Sequence, residues 1–289
     1  VLINPLQALN PNSDASSDGI LLSSSRSTNY DHAAYAEWLQ KLETVCKEKG
    51  IVFIMDEVFA GFRFGYLGAK DFYQVNPDMI TYGKTIGGGL PIGVVTGPKH
   101  LMQRFKADQP ANVSFARGTF NSHPMVMATM NVFLNRVLQS PYKEQLVADD
   151  SVWQARREKM NEQFEEAGIP VRMDGILSIW TVLYTKPSRY NWIFQFYLRR
   201  EKLLLSWIGT GRLIFSHNYT ETDFDQVMEA FIRAGEAMLA DGWWHDSQLT
   251  NADISKLMFR QMLSTKFGLN KSKHLGHEPS LIGTKTDAR

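Results

Sequence analysis

The sequence predicts an α/β fold, a mostly parallel sheet flanked by helices, followed by a smaller C-terminal α+β domain. Three observations carry this. A continuous apolar run at 51–55 follows directly on a helical pattern; a second short apolar piece lies at 79–82; and beyond Gly168 the texture changes to short strand-like runs between helices. An unbroken apolar run of strand length, as opposed to an alternating one, suits a strand covered on both faces of a parallel sheet.

Taken in order, VLINPLQAL reads as an opening strand, and residues 10–29 form a loop rich in Ser, Asn and Asp. The helical pattern at about 31–49 stops at Gly50, the residue type favoured just past a last helical turn. IVFIMDE is the next strand; the Gly- and aromatic-rich loop AGFRFGYLGAKDFYQ then leads to 79–82, with another strand candidate at 91–96. Helical periodicity covers 121–138 and 142–168, the second charged on one side as a partly exposed helix is. Val171, 176–184, 202–207 and 212–215 read as short strands, with helices at about 190–200 and 222–241. From 245 the chain is polar and patternless apart from a weak helix at 254–263, the signature of a tail or linker. The expected division is 1–140 as part of a large domain, 141–244 as a small domain with its connecting helix, and 245–289 as tail.

Composition excludes several function classes. A chain of 289 residues with 44% hydrophobic content buries a substantial core. Lys and Arg total 31 against 30 Asp and Glu, so no basic excess points to nucleic acid. The single Cys46 excludes an internal disulfide framework and fits a reducing compartment, which makes cytoplasm the expected location. No apolar stretch approaches the roughly 20 residues a bilayer span needs, so no membrane partner is expected. Residue 1 is Val in the middle of a strand pattern, so the chain is expected to start inside a domain.

The chemistry centres on YGKTIGGGLP at 82–91, where Lys84 stands between glycine-bearing turns. Gly83-Lys84-Thr85 matches the end of a phosphate-loop motif, and IVFIMDE resembles the acid-bearing strand that accompanies it. That motif requires a glycine where this chain has Asp78, and the acidic strand precedes the lysine, the reverse of the usual order. An ordinary exposed lysine is the plain alternative. Asp56 lowers its weight. Asp56 ends one strand and Lys84 another, and ligands of open α/β sheets lie beyond the carboxyl ends of strands. An acid and an amine meeting there are what pyridoxal phosphate requires: an amine to form a Schiff base with the aldehyde, and a carboxylate to keep the pyridine nitrogen protonated. Such a lysine is expected in a partly desolvated pocket beside cationic groups, where the free amine is accessible, with the glycines at 87–89 letting the backbone pack around it.

IVFIMDEVFAGFR, PDMITYGKTIGGGLPIGVVTG and RGTFNSHPMVMATMNVF, in this order and at this spacing, resemble the class III pyridoxal-phosphate aminotransferases of fold type I, in their glutamate-1-semialdehyde aminomutase-like branch. The resemblance covers about 1–240. It implies that Lys84 is the Schiff-base lysine, Asp56 the partner of the pyridine nitrogen, and Val58 the apolar contact on the ring face. It also implies that Gly118 and Thr119 bind the cofactor phosphate in the neighbouring subunit's site, and hence a homodimer. By residue type alone, without the resemblance, Gly118 and Thr119 read as an N-terminal helix cap. Arg212 stands where some members place an arginine that grips a substrate carboxylate, a task suited to a guanidinium, although a structural arginine reads as well there. Phe59 replaces the Gln that many members carry after Asp-Glu-Val; the aminomutase branch often has an apolar residue there. Asn4 stands where the family often has Glu and is assigned no role. The family's N-terminal part, with a Ser- and Gly-rich turn and a ring-stacking aromatic, has no counterpart in this sequence, so an incomplete site is expected from this chain by itself. The tryptophans at 180, 192, 207, 243 and 244 read as packing residues, and His123 as structural, because the seven histidines lack metal-ligand spacing.

The expected activity is transfer of an amino group between an amine or amino acid donor and an aldehyde or keto acceptor, the latter free or borne on a carrier protein. An aminomutase shifting the group within one molecule remains the alternative within the same chemistry. A noncatalytic or docking segment of a multifunctional assembly is the alternative from a different class, and the presence of both Lys84 and Asp56 weighs against it.

Overall fold

The computed structural model describes residues 1–6, 32–103, 105–113, 118–139, 141–146, 149–186, 188, 190–205, 212–244 and 250–267. The first sheet takes β1 (Leu2–Ile3), β2 (Ile54–Asp56), β3 (Met79–Gly83) and β4 (Gly93–Thr96) in the order β1-β2-β3-β4. β1 and β3 run parallel to β2, and β4 returns antiparallel to β3. The parallel connection from β1 to β2 passes through α1 (His32–Glu48), as a same-sense crossover requires. That helix closes with Gly50 at φ 61°, the Ile51 N–H donating to Cys46 O at 2.8 Å and the Gly50 N–H to Lys47 O at 3.3 Å, a Schellman ending.

Sequence pattern overstated the length of the strands. The 51–55 run is not covered on both faces throughout: Phe53 and Met55 are buried, Val52 and Ile54 half-buried, and Ile51 exposed. Phe53 and Met55 pack with Tyr35, Leu39 and Cys46 of α1 and with Phe64, Ala69 and Tyr73 of the loop that follows β2 and its short helix α2 (Ala69–Phe72). Tyr73 meets Tyr35 edge-on at 5.2 Å between ring centroids, and Gln40 Nε2 donates to Tyr73 O at 3.0 Å. Asp78 clamps the entry to β3: its carboxylate accepts from Phe53 N at 2.8 Å and its own N–H donates to Phe53 O at 2.8 Å. Thus the acid that spoils the phosphate-loop motif is part of the sheet's hydrogen bonding.

After β4 come α3 (Lys99–Met102), the hairpin β5 (Phe105–Lys106) and β6 (Gln109–Val113), and α4 (Pro124–Val137). The helix expected over 142–168 is two helices, α5 (Tyr142–Gln145) and α6 (Ser151–Glu166). Asp149 breaks the pattern by bonding locally and Asp150 by bonding to Arg157 and across to Leu177. Asp149 Oδ1 accepts from Ser151 N at 2.9 Å, and Asp150 pairs with the buried Arg157 at 2.8 Å while accepting from Leu177 N at 2.8 Å.

The second sheet is the antiparallel β7 (Val171–Ile176), β8 (Ile179–Tyr184) and β9 (Arg212–Ile214). The single strand expected at 176–184 is interrupted because Leu177 takes φ 50° in a turn. Residues 202–205 are not strand, and 206–207 lie outside the described residues. Against this sheet pack α6, α7 (Phe194–Arg200) and α8 (Glu221–Ala240), with Trp180 at the centre: its ring centroid is 4.5 Å from that of Phe215 and 6.3 Å from that of Trp153. Of the other tryptophans, Trp243 and Trp244 pack on the core, Trp192 is exposed, and Trp207 lies outside the described residues. The buried side chains around both sheets form one contiguous cluster. The segment expected to be tail contains α9 (Asn251–Lys266), longer than the pattern suggested, because a Thr250–Asp253 capping box starts it.

Asp150→Ala leaves the buried Arg157 guanidinium unpaired and the Leu177 N–H without its acceptor. It is expected to destabilise the chain by about 3 kcal/mol, read as a lowered midpoint in urea unfolding; an unchanged midpoint would mean that the pair does not hold α6 to the second sheet.

Candidate active site

Asp56 is the last residue of β2 and lies opposite Thr81 of β3. Its Oδ1 accepts from the Thr81 hydroxyl at 3.0 Å and from the Val58 N–H at 3.0 Å. Among the described residues, Oδ2 accepts no hydrogen bond, so one oxygen fixes the carboxylate and the other remains for a ligand. The half-buried Val58 turns the chain at this point. A Cβ on Gly83 would come to 3.0 Å from Val58 Cγ1, so the residue before the lysine packs tightly against Val58.

Lys84 follows β3 at once and opens the short 3-10 turn Lys84–Gly87. Its φ is 47°, in the left-handed region that an ordinary residue enters at a cost of about 1 kcal/mol or more. The expectation of a desolvated lysine does not hold for the described residues: Lys84 is exposed, with Nζ 5.5 Å from the centroid of the half-buried Phe59 ring. Of the three glycines after it, only Gly87 is needed for close packing, since a Cβ there would lie 2.8 Å from Ile92 Cγ2. Gly88 and Gly89 instead take φ 58° and 96° in the turn.

Three residues that the sequence did not single out shape this region. Glu57 is buried, and its carboxylate accepts from Ala69 N at 2.9 Å and Lys70 N at 3.2 Å, tying the loop after β2 to α2. Burial pushes its carboxyl above the usual range, partly offset by those N–H groups and by the charge of Lys70. Burial, and secondarily Glu57, pushes the Tyr82 hydroxyl up to about 12. Arg63 crosses from the loop to the lysine turn, its Nη1 donating to Phe59 O at 2.7 Å and to Thr85 Oγ1 at 2.9 Å. Thr81 is the third; only strand pairing reveals that it faces Asp56.

Gly118 and Thr119 are exposed and stand in the turn before α4. Neither caps that helix. His123 holds the N-cap position without a side-chain cap, and Pro124 at the first helical position supplies the fixed φ. The helix expected from 121 therefore starts three residues later. Phe133 of α4 packs edge-on against Phe62 at 5.0 Å, which brings α4 against the loop after Asp56. Arg212 opens β9 opposite Thr181; its side chain lies outside the described residues.

A mostly parallel sheet with an acid and an amine at the carboxyl ends of adjacent strands is that of the fold-type-I pyridoxal-phosphate transferases. Solved structures agree. A transaminase with PLP bound superposes with a TM-score of 0.59 at 26% identity, covering 71% of this chain and 49% of its own. The β-phenylalanine aminotransferase of Variovorax paradoxus shares the fold with a TM-score of 0.59 at 22% identity over 84% of this chain and 53% of its own.

Residues 3–234 match the family Aminotransferase class-III, and the chain belongs to it. It is 35% identical over 155 residues to the glutamate-1-semialdehyde 2,1-aminomutase of Citrifermentans bemidjiense and 34% identical over 155 residues to that of Geotalea daltonii. In each case the match covers 54% of this chain and 35% of the relative, so the aligned part is about a third of those proteins' length. The family's cofactor is pyridoxal 5'-phosphate. The residues present fit it: an oriented carboxylate with an uncommitted oxygen, an accessible amine at the neighbouring strand end, and a bare glycine between them.

Thr81→Val removes one hydrogen bond to the charged Asp56, worth about 1.5 kcal/mol. Cofactor affinity, followed by absorbance titration of pyridoxal phosphate, is expected to fall roughly tenfold with the fold intact; undiminished affinity would show that the Thr81 hydroxyl does not orient the acid.

Proposed function

We propose that the protein acts as a pyridoxal-phosphate-dependent aminotransferase, moving an amino group between an amine or amino acid donor and an aldehyde or keto acceptor. The observation that carries this reading is the pairing of Asp56 and Lys84 at the ends of β2 and β3, with Asp56 oriented by Thr81 and Val58. When bound, the cofactor supplies an aldehyde that captures amines and a ring that accepts the electron pair left when a substrate C–H bond breaks. Asp56 Oδ2 holds the proton on the ring nitrogen, and its negative charge makes that proton costly to lose. Lys84 Nζ would anchor the cofactor and, when freed by the amine donor, would serve as the base that moves the proton of the substrate carbon. Val58 would contact the cofactor ring, and Gly118 and Thr119 would hold its phosphate.

The turn that carries Gly118 and Thr119 serves the neighbouring subunit of a homodimer. Phe120, 79% exposed beside it, and Met125, 64% exposed on α4, are apolar side chains that such an interface covers. Residues 1–140 form part of the large domain and 141–244 the small one. A cytoplasmic location is supported by the free, buried Cys46; no helix among the described residues is long and apolar enough to cross a membrane. The exposure of Lys84 is compatible with an acceptor delivered on a carrier protein. The identities of 35% and 34% to glutamate-1-semialdehyde 2,1-aminomutases favour, as a second reading, an aminomutase that shifts the amino group within one substrate.

Borohydride reduction in the presence of pyridoxal phosphate, followed by peptide mass spectrometry, is expected to place a pyridoxyl adduct on Lys84 that Lys84→Ala abolishes. An adduct spread over surface lysines, or none on Lys84 in the folded chain, would sink the reading in favour of a noncatalytic docking role.

A further inference from the structure

α9 lies beyond the 3–234 match to the family, so the aminotransferase reading gives it no part to play. It has two apolar sides. Ile254 is 1% exposed, with Leu257 and Met258 half-buried, which marks the inner side. Phe259, Met262, Leu263 and Phe267, at the spacing i, i+3, i+4 and i+8, form a second stripe and are 56, 57, 39 and 64% exposed. At about 100° per residue, Phe259 and Leu263 point away from Ile254. The stripe therefore faces outward, where a surface helix ordinarily carries polar side chains.

The cations of the helix lie on the same side. By the same angular count Lys256 and Lys266 fall within the stripe and Arg260 at its edge. All three are exposed, and none forms an ion pair among the described residues. The one acid of the helix, Asp253, feels the charge of Lys256 but is held in the capping box, its Oδ2 accepting from Thr250 N at 3.1 Å and from Thr250 Oγ1 at 2.6 Å. In the sequence Lys271 and Lys273 continue the run, and no Asp or Glu occurs from 254 to 277. Seven of the 31 Lys and Arg but only two of the 30 Asp and Glu fall in 254–289, which leaves 24 against 28 in 1–253. A chain of nearly balanced total charge thus carries its positive excess on and after this helix.

We propose that the outward stripe of α9 docks on an anionic lipid surface, the helix lying flat with Phe259, Met262, Leu263 and Phe267 at the acyl boundary and its cations among the headgroups. Apolar side chains bordered by Lys and Arg make an interfacial helix, because the cation stems lie along apolar surface while their charges stay at headgroup level. A cluster of about four to eight cations on such a helix is what an anionic leaflet attracts. No helix among the described residues is long and apolar enough to cross a bilayer, so the contact is peripheral. A second copy of α9 is a poorer occupant: antiparallel pairing about Gln261 sets Lys256 of one copy opposite Lys266 of the other. A nucleic acid would answer the charge and leave the four apolar side chains in water. The docking surface stands apart from the aminotransferase reading, and the failure of either leaves the other in place.

The test is sedimentation of the full chain with vesicles of phosphatidylcholine containing about a quarter phosphatidylserine, beside vesicles of phosphatidylcholine alone. Binding to the anionic vesicles is expected to be at least about tenfold tighter and to weaken as ionic strength rises. Lys256→Gln and Arg260→Gln are each expected to weaken it roughly fivefold, and Phe259→Gln combined with Met262→Gln at least about tenfold. All four side chains are exposed, so these variants are expected to keep the fold, as circular dichroism checks. Absence of binding to the anionic vesicles, or equal binding to both kinds, overturns the proposal. Binding that falls with the charge variants but is indifferent to the Phe259 and Met262 pair overturns it too, because it makes the attraction one of charge alone. Retention on poly-glutamate without vesicle binding assigns the face to an acidic protein. Self-association that the Phe259 and Met262 pair abolishes, again without vesicle binding, assigns it to a second copy, and either result overturns the lipid reading.

Discussion

The parallel pairing of β2 with β3 is the constraint on which the site depends. Its register sets Asp56 opposite Thr81, and Thr81 is three residues before Lys84. A slip of β2 by one residue against β3 would turn Asp56 to the other face of the sheet and away from Thr81, because side chains alternate along a strand. Several contacts resist that slip. Asp78 exchanges hydrogen bonds with Phe53 at the start of β3, Glu57 N donates to Thr81 O at 2.9 Å at its end, and Met55 is buried against α1. The acid and the amine are thus placed by backbone hydrogen bonding, which leaves their reactive atoms free for a ligand.

The loop between Asp56 and α2 does the next part of the work. Glu57 is buried to hold Ala69 and Lys70, and Gly68 at φ 79° makes room for that carboxylate. With its far end fixed, the loop can carry Phe59 and Arg63 to the lysine turn. Arg63 reaches Thr85, so the unusual backbone of Lys84 is flanked by Gly83 on one side and by a bridged threonine on the other. Two cations around one aromatic ring would repel in a dry site; the ring quadrupole and the exposure of Lys84 moderate that repulsion.

Much of this was legible in the sequence, and the parts that were not share a cause. Apolar runs and the Gly50 stop located α1, β2 and β3, because periodicity and capping are local. The apolar runs before them also placed Asp56 and Lys84 at the ends of adjacent strands, which is where β2 and β3 end. Thr81 and Arg63 were not readable, since each matters through a partner distant in the chain. Thr81 acts across the β2–β3 pair, and Arg63 across the turn at Thr85. The break between α5 and α6 was missed for the same reason: Asp150 leaves the helix to bind Arg157 and Leu177. The exposure of Lys84 also ran against expectation, because an amine at a strand end is covered only by whatever packs above it.

The central claim is that the β2–β3 register makes Asp56 the acid that keeps the cofactor's ring nitrogen protonated while Lys84 carries the cofactor. Nitrogen-15 NMR of the chain loaded with pyridoxal phosphate labelled at the ring nitrogen tests this most directly. The account predicts a protonated ring nitrogen in the wild type and an unprotonated one in Asp56→Asn, with the chain still folded. A ring nitrogen that is unprotonated in the wild type, or indifferent to Asp56→Asn, would contradict it.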